Sequence, residues 1–550
     1  KGSVKLDDIP QADVVMIVGM NPGTNHPRML SSLQKLKGNG GKVITINPLE
    51  EAGLKRFKNP QKVGDLLGSG TAITDILLQV KINQDIPLLK AIIKKLYIKE
   101  SEVGGIFDHD FIQEKTIGYN ELIADLEKYE LSSLIQQSGV NESQIDQAVD
   151  LLASGKKIII CWAMGLTQHE NGVENIKECV NLLLLKGSIG KEGAGTCPVR
   201  GHSNVQGDRS VGIVHGTSDA LHASLKKTFH IEAPKSKGLD TVDAIKAMHE
   251  GKAKVFIALG GNFLSAAPDT NYTAQALHNC DLTVNISTKL NRTHVITGKT
   301  ALILPTLGRS EKDMKDGKKR FVSVENSMGK VHQSQGSLAP ASEHLMSEPD
   351  IIAHLAATTL GEKATVDWLS LGQDYDAIRG KISEVIGGFE DYNQRVRKNG
   401  FYLPNNARVG DFSNLPHHKA QFTICSLPEH YLQEDEYLLM TIRSHDQFNT
   451  TIYGMDDRYR GIYNERRVLF MNSGDMKKEG VSKLDRVDIK SEYDGAVRVA
   501  HNFLVIPYSI PSQNLACYFP EANVLVPINY FAKQSQTPIS KSVKVSLVKV

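Results

Sequence analysis

Continuous apolar runs alternate with helix-like segments over the first two thirds of the chain. The runs at 12–18, 157–163 and 253–259 are rich in β-branched residues and lack the polar alternation of a half-exposed strand. Such runs indicate parallel strands that are covered on both faces. Helical stretches such as 142–153 and 172–185 lie between them. Strands that alternate with helices are typical of α/β folds, so the pattern predicts two doubly wound αβα sandwich domains.

The hydrophobic pattern changes in the last third of the chain. Residues 362–416 are polar and loosely helical, which predicts a connector. After residue 421, short strand-like runs such as 437–443 and 467–471 follow one another at hairpin-like spacing, with few helical runs. This spacing predicts a C-terminal β-barrel of about 130 residues.

Each of the three long apolar runs ends in a turn of glycine and uncharged polar residues, at 19–23, 164–168 and 260–262. Ligands of doubly wound sheets bind beyond the carboxyl ends of the strands. Glycine lets a backbone approach a phosphate closely, and Asn, Thr and Gln donate hydrogen bonds without charge repulsion. Any one of these turns is explained by chain reversal alone, but three of the same kind favour a large polar ligand.

The segment 187–212 (GSIGKEGAGTCPVRGHSNVQGDRSVG) contains seven glycines and a proline among polar residues, so it is not a regular element. Ordering such a loop costs conformational entropy, which a ligand wrapped by its backbone would offset. A long surface loop remains the alternative.

The composition of the chain argues against some classes of binding partner. The net charge of +2 provides no bulk field for nucleic acid, and no apolar run approaches the roughly 20 residues of a membrane helix. We therefore expect neither nucleic-acid binding nor membrane insertion. The cysteines are widely spaced, at Cys161, Cys179, Cys197, Cys280, Cys425 and Cys517. This spacing suits neither a disulfide scaffold nor a zinc or iron–sulfur site within the segment, and it favours a reducing, cytoplasmic location.

Several segments together resemble the molybdopterin oxidoreductase superfamily, specifically its formate-dehydrogenase-alpha-like (YdeP-type) branch. Besides 187–212, they are 13–27 (DVVMIVGMNPGTNHP), 162–172 (WAMGLTQHENG), 258–269 (ALGGNFLSAAPD) and 443–454 (RSHDQFNTTIYG). The resemblance covers essentially the whole chain in the same order. It implies that two αβα domains each hold one arm of a bis-(molybdopterin guanine dinucleotide) cofactor with molybdenum or tungsten, and that the barrel covers both arms.

The resemblance also implies limits for the domains. They are 1–192 for the first dinucleotide-binding αβα domain, 193–360 for the second, 361–420 for the connector and 421–550 for the dinucleotide-binding barrel.

In this family the metal ligand is a cysteine or selenocysteine followed by histidine, just upstream of the stretch that matches 1–10. Cysteines for an iron–sulfur cluster lie further upstream again. We therefore expect that the chain lacks the family's N-terminal part, has no metal ligand of its own, and has a cluster only in that missing part. Cys197, in a Thr-Cys-Pro-Val setting, matches a structural position.

Two residues are predicted to act in catalysis. Arg200 stands where the formate-dehydrogenase branch has an arginine beside the metal. A guanidinium can hold a carboxylate by two hydrogen bonds, although pairing with a cofactor phosphate is the alternative. His202 stands where formate dehydrogenases usually have glutamine, and its titratable ring leaves the identity of the substrate open.

The resemblance assigns cofactor contacts in three groups. For one dinucleotide arm they are Asn21, Thr24, Asn25, Asn47, Gly70 and Thr71, of which Asn47 stands where the family often has aspartate. For the second arm they are Gly165, Thr167, Gln168, Gly201, Asn204, Gln206, Gly260, Asn262 and Asn285. From the barrel they are Arg443, His445, Gln447, Phe448, Asn449, Thr450, Asn529 and Lys541.

The implied activity is the two-electron oxidation of a small substrate such as formate, with an electron-transfer partner protein as a further expectation. A subunit that keeps the fold without the cofactor is the alternative. The polar residues kept in the loops argue against it. A nicotinamide dehydrogenase is disfavoured because no GxGxxG motif follows the first strand.

Overall fold

The computed structural model describes residues 1–550, apart from the side chain of residue 66. The chain divides into two compact units. One comprises residue 1 with 202–265 and 271–404, and the other comprises 2–201, 266–270 and 405–550. We call them the smaller and the larger unit. This division follows packing whereas the predicted domain limits follow cofactor binding, so those limits stay a prediction.

The described strands are β1 (Val14–Val18), β2 (Lys42–Ile46), β3 (Arg56–Phe57), β4 (Thr71–Ala72), β5 (Ile76–Leu78), β6 (Thr116–Ile117), β7 (Ile158–Trp162), β8 (Gly195–Pro198), β9 (Val255–Leu259), β10 (Leu282–Ser287), β11 (Thr300–Pro305), β12 (Asp313–Lys315), β13 (Lys318–Arg320), β14 (Val322–Glu325), β15 (Lys330–Ser334), β16 (Phe401–Tyr402), β17 (Ala420–Gln421), β18 (Glu436–Ile442), β19 (Val468–Met471), β20 (Arg486–Tyr493), β21 (Ala496–Pro507), β22 (Asn514–Tyr518) and β23 (Val543–Lys549).

The described α-helices are α1 (Pro22–Asn25), α2 (Pro27–Gly38), α3 (Ala52–Lys55), α4 (Val63–Leu67), α5 (Asp85–Val103), α6 (His109–Lys115), α7 (Tyr119–Glu127), α8 (Leu131–Ser138), α9 (Glu142–Ser154), α10 (Met164–Thr167), α11 (Gly172–Leu185), α12 (Val205–Ser210), α13 (Asp219–Phe229), α14 (Thr241–His249), α15 (Phe263–Ala266), α16 (Thr270–His278), α17 (Glu348–Leu360), α18 (Trp368–Gln373), α19 (Tyr375–Val385), α20 (Tyr392–Arg397) and α21 (Ser473–Glu479).

A parallel sheet with the strand order β5-β2-β1-β7-β8 forms the core of the larger unit. Val14 pairs in register with Lys42 on one side and with Ile158 on the other. Every residue of β1 and β7 is buried, so both faces of the sheet are covered. On one face, alternate residues of the strands pack in an apolar cluster with side chains from α5, α9 and α11. The prediction of parallel strands covered on both faces is confirmed for this sheet.

The parallel sheet of the smaller unit has the order β11-β10-β9. Ile351 of α17 packs on Val284 and Ile286 of the central strand β10. In β9, however, Val255 and Leu259 are each 54% exposed. The expectation that the run 253–259 is covered on both faces was therefore wrong for this unit. The physical reason is that β9 is an edge strand beyond the reach of α17.

The segment 362–416 contains helices as well as irregular chain, and part of it belongs to a distinct layer. Here β14, β15 and β16 form an antiparallel sheet. Phe389 and Tyr392 share an apolar cluster with Val331 and Phe401. The helices α19 and α20 therefore pack onto this small sheet within the smaller unit.

A closed six-stranded barrel with the order β18-β22-β19-β21-β20-β23 confirms the predicted C-terminal β-barrel. It is filled by buried apolar side chains, among them Tyr437, Leu469 and Phe503. Together with the parallel sheets, it confirms the predicted fold class. None of the described helices combines the length and the apolar character that crossing a membrane requires.

Candidate cofactor cleft

A cleft opens in the larger unit at the carboxyl ends of β1, β2 and β7. It encloses about 980 Å³, part of which is open to solvent. The loops after these three strands line one side, and Met440, Arg443, Arg460 and Lys541 from the C-terminal part of the chain line the other. Its position is the one at which doubly wound sheets bind ligands.

Two pairs of glycines bring the loops of the cleft together. The Gly165 amide donates a hydrogen bond of 3.0 Å to the Gly19 carbonyl. A Cβ added to Gly165 would lie 2.2 Å from that carbonyl oxygen, and one added to Gly23 would lie 2.5 Å from the Cα of Gly53. Because no side chain fits at these contacts, the loops after β1, β2 and β7 can approach only through glycine.

The loop after β1 presents unsatisfied polar groups to the cleft. Asn21 accepts a hydrogen bond of 3.3 Å from the Thr24 amide through Oδ1. Within the part of the chain that the structure describes, its buried Nδ2 and the buried Oγ1 of Thr24 have no hydrogen-bond partner. Both residues line the cleft. Buried polar groups normally find partners, so these two groups favour a polar ligand.

The Asn47 side chain forms hydrogen bonds with the backbone of the loops after β1 and β2. Its Nδ2 donates to the Met20 carbonyl at 3.3 Å, and its Oδ1 accepts from the Leu49 amide at 3.0 Å. It also lines the cleft. Gly70 and Thr71 do not line it, and Thr71 Oγ1 accepts a hydrogen bond from Gln34 at 2.9 Å.

Two half-buried cations, Arg443 and Lys541, line the same cleft. Arg443 donates hydrogen bonds to the Asn25 side chain at 3.2 Å and to the Asn449 side chain, while Lys541 Nζ donates to the Thr441 carbonyl. Burial, together with the charge of Arg443, lowers the pKa of Lys541 to about 7. Burial also lowers the pKa of Arg443.

No carboxylate among the described side chains forms an ion pair with Arg443 or Lys541. Two half-buried cations that repel each other without a counterion are unfavourable, and an anion bound by both would stabilise them. The cleft therefore fits an anionic group such as a phosphate.

The cation Arg460, in contrast, forms ion pairs with two carboxylates. Its Nη2 lies 2.5 Å from Glu51 Oε1 and its Nη1 lies 2.8 Å from Asp457 Oδ2. Asp457 also accepts a hydrogen bond of 2.8 Å from His445 Nδ1 and one of 2.7 Å from the Tyr518 hydroxyl. Burial raises the pKa of Asp457, but the contacts from His445 and Arg460 outweigh it and hold that pKa well below its usual range. The cluster ties the loop after β2 to the C-terminal part of the chain.

Sequence reasoning missed two histidines in this region. His26 Nε2 donates to the Arg200 carbonyl at 2.9 Å, and its Nδ1 has no partner among the described groups. His169 Nε2 donates to the Gly165 carbonyl at 2.8 Å, and its Nδ1 lies 3.0 Å from Ser542 Oγ. Burial lowers the pKa of His26 and lowers the pKa of His169 to about 3. Both lie in segments that carried the resemblance, which was the available signal.

Of the other residues predicted for this region, some line the cleft and others do not. Gly201 lines it, Arg200 is half-buried, and the Gln168 carbonyl accepts a hydrogen bond of 3.2 Å from the Lys541 amide. Thr167 is half-buried and does not line the cleft.

The other predicted residues of the C-terminal part differ in exposure. Gln447 uses its whole amide within the protein, because Nε2 donates to the carbonyls of Asn449 and Phe519, both at 2.7 Å, and Oε1 accepts from Ser444. Thr450 is buried, whereas Phe448 and Asn529 are exposed.

The smaller unit carries the other predicted contacts for the second arm. Asn262 Oδ1 accepts from Thr293 Oγ1 at 3.1 Å, and Asn204 Oδ1 accepts from the Glu325 amide at 3.0 Å. The buried Gln206 Oε1 and Asn285 Nδ2 have no partner among the groups described. His202 is exposed, and Gly260 has a φ of +71° that favours glycine. All the predicted site assignments stay predictions.

The chain was then compared with known proteins. The family model "Molybdopterin oxidoreductase" matches residues 2–321, and the model "Molydopterin dinucleotide binding domain" matches residues 437–545. This chain belongs to the molybdopterin oxidoreductase family. The resemblance found in the sequence is thereby confirmed, and the family supports an oxidoreductase with a molybdopterin cofactor.

Among similar family members, an uncharacterized oxidoreductase (Rv2900c) of Mycobacterium tuberculosis is 46% identical over 554 residues, with 100% of this chain and 71% of the relative covered. Protein YdeP of Escherichia coli is 41% identical over 564 residues, with 100% of this chain and 74% of that protein covered. The alpha subunit of F420-dependent formate dehydrogenase 1 of Methanococcus maripaludis is 30% identical over 314 residues, with 56% of this chain and 43% of the subunit covered.

The solved structure of acetylene hydratase from Pelobacter acetylenicus superposes with a TM-score of 0.66. It is 16% identical and covers 100% of this chain and 79% of its own. At that identity the likeness shows the fold alone. Within residues 1–550 as described, no group of three or more His, Cys, Asp or Glu side chains is arranged to hold a metal ion.

Proposed function

We propose that this protein is a molybdenum- or tungsten-dependent oxidoreductase with a bis-(molybdopterin guanine dinucleotide) cofactor, and that it oxidises a small anion such as formate by two electrons. The observation that carries the proposal is the pair of half-buried cations, Arg443 and Lys541, in a cleft that has no carboxylate partner for them among the described residues. The partial similarity to a formate dehydrogenase alpha subunit supports the choice of formate.

In this proposal, Arg443 and Lys541 bind the phosphates of one dinucleotide arm, because an anion relieves their mutual repulsion. Asn21 Nδ2 donates to the same arm, and Thr24 Oγ1 gains a partner. Gly19 and Gly165 are in close contact and carry no side chains. The backbone groups of both loops can therefore contact the ligand directly. The unsatisfied groups of Gln206 and Asn285 in the smaller unit are assigned to the second arm.

The cofactor, when bound, supplies a metal centre that can take up two electrons from a substrate. Arg200 binds the substrate carboxylate through its guanidinium fork and orients it. His26 positions Arg200, because its Nε2 hydrogen bond holds the Arg200 carbonyl. His202, exposed and titratable, is assigned to proton exchange. An electron-transfer partner protein takes the electrons onward.

The activity is tested with the purified full-length protein by measuring formate-dependent reduction of a viologen dye. The Arg200→Lys variant keeps the charge but loses the planar fork, so we expect KM for formate to rise at least about tenfold. Arg467→Lys, at an exposed position, is the matched control. Cofactor-loaded protein that does not reduce the dye with formate would exclude formate as the substrate. Equal KM values for the two variants would remove Arg200 from the site.

A further inference from the structure

A second cavity lies wholly within the smaller unit. It encloses about 660 Å³, part of which is open to solvent. Its walls come from α12, β14, β15, α19 and α20. The family comparison assigns no function to it.

Glu325, at the end of β14, contributes a carboxylate to the lining of this cavity. The residue is 3% exposed. Its backbone amide donates to Asn204 Oδ1 at 3.0 Å, which fixes its position. Among the described residues, no group donates a hydrogen bond to either carboxylate oxygen. The Lys1 ammonium forms an ion pair with Oε1 at 3.4 Å, but neither carboxylate oxygen accepts a hydrogen bond from a described group. A buried carboxylate without donors is unfavourable, so the site favours a cationic donor.

The walls around Glu325 suit the apolar part of such a cation. The rings of Phe389 and Tyr392 lie 5.0 Å apart, and both line the cavity. The Tyr392 hydroxyl is occupied by Ser323 Oγ at 2.9 Å, so this residue offers mainly its ring. Ile378 and Ile382 of α19 complete an aliphatic wall. Aromatic faces attract cations, and aliphatic walls bind an alkyl chain.

One cation, Arg379, also lines the cavity, but its donors are engaged. Nε donates to Asn393 Oδ1 at 2.7 Å, Nη1 donates to the Phe321 carbonyl at 3.0 Å, and Nη2 pairs with Asp376. Arg379 therefore offers little to an anionic ligand. The unsatisfied carboxylate of Glu325 sets the charge preference of the cavity.

We propose that this cavity binds a small primary alkylammonium ion, with the ammonium on the Glu325 carboxylate and the alkyl chain between the aromatic and aliphatic walls. The ammonium provides three donors, which match the unsatisfied oxygens. Asn204, which lines this cavity, is also one of the predicted contacts for the second cofactor arm, but the test of this proposal does not involve the redox activity.

The test is isothermal titration calorimetry of the full-length protein with three probes of the same length: n-butylammonium, n-butanol and butyrate. We expect saturable binding of n-butylammonium, at least about tenfold tighter than n-butanol, and no binding of butyrate. No heat of binding with n-butylammonium, or equal affinity for n-butanol, would overturn the proposal.

The matched variants are Glu325→Gln and Glu343→Gln, because Glu343 has a side chain that is 89% exposed. The first should lose at least about tenfold in affinity for n-butylammonium and the second should keep it. A cooperative thermal transition of ligand-free Glu325→Gln, measured in parallel, shows that the variant folds. Val322→Trp, at the 39% exposed edge of the cavity, should block binding while Glu325 stays intact. Unchanged affinity in Glu325→Gln would contradict the assignment.

Discussion

His26 donates a hydrogen bond from Nε2 to the backbone carbonyl of Arg200 at 2.9 Å. The two residues are 174 positions apart in the chain. The loop after β1 thus holds the residue to which we assign substrate binding, and it does so through a neutral imidazole, because burial lowers the pKa of His26.

Replacing His26 tests this relationship. His26→Ala removes the donor, and the loss of one hydrogen bond should raise KM for the substrate by up to about tenfold. His26→Gln, whose amide can donate in the same direction, should restore most of the affinity. The readout is the ratio of KM to kcat in formate-dependent dye reduction, with metal content measured in parallel. If glutamine and alanine behave alike, the hydrogen bond has no positioning role.

The decrease in the stability of the folded protein at acidic pH should depend on His169. Burial lowers the pKa of His169 in the folded protein to about 3, from the ordinary histidine pKa of about 6.5. Between these values the unfolded chain binds the proton and the folded chain does not, so stability falls as pH falls from about 6.5 towards about 3. The slope from one such group is at most about 1.4 kcal/mol per pH unit.

We expect His169→Gln to show a smaller loss of Tm than the natural protein between pH 6.5 and pH 5. His344, whose side chain is 89% exposed, provides the control variant His344→Gln, which should follow the natural protein. Parallel Tm profiles for His169→Gln and the natural protein would show that His169 does not carry this pH dependence.

The contact between the loops after β1 and β7 makes Gly165 sensitive to any side chain. A Cβ at Gly165 would lie 2.2 Å from the Gly19 carbonyl oxygen, so Gly165→Ala must displace one of the loops. We expect a loss of about 1–3 kcal/mol in stability, together with reduced cofactor content. Gly380→Ala is the control, because its added Cβ meets no atom within 4 Å and it lies in α19. That substitution should be neutral or slightly stabilising. The measurement is Tm, and equal values for the two variants would contradict the close approach.

We predict that the positive charge of Lys541 is needed to bind the cofactor. Lys541→Gln removes a half-buried cation that has no carboxylate partner in the described structure, so the variant should fold but retain about a tenth or less of the cofactor. Lys544→Gln is matched in type and nearby in sequence. Lys544 is 51% exposed and pairs with Glu436 at 2.8 Å, a surface pair of small energetic effect. Guanine nucleotide released on denaturation is the readout. Normal nucleotide content in Lys541→Gln would remove Lys541 from the binding site.

The periodicity of the sequence predicted the parts of the fold that local patterning determines. The continuous apolar runs of β1 and β7 are fully buried, and the hairpin-like spacing after residue 421 corresponds to the closed barrel. The run at 253–259 looks the same in sequence but forms an edge strand with exposed residues. A run of residues does not reveal how many strands flank it, so this difference lay outside the pattern.

The candidate site was predictable only where a motif marked it. Arg443 and Lys541 came from the resemblance and line the cleft. The ion pair between Arg460 and Glu51 joins residues 409 positions apart, and nothing local in the sequence marks either one. His26 and His169 sit within recognised segments, but only the fold shows which carbonyl each one holds.

The most direct test of the account is the content of metal and guanine nucleotide in the purified full-length protein. The proposed cofactor carries two guanine nucleotides for each metal atom, so denatured protein should release molybdenum or tungsten, a fluorescent oxidised pterin, and about two equivalents of guanine nucleotide per metal. Protein that is folded, with its native Tm, but free of metal, pterin and guanine nucleotide would contradict the account and favour a subunit that keeps this fold without the cofactor.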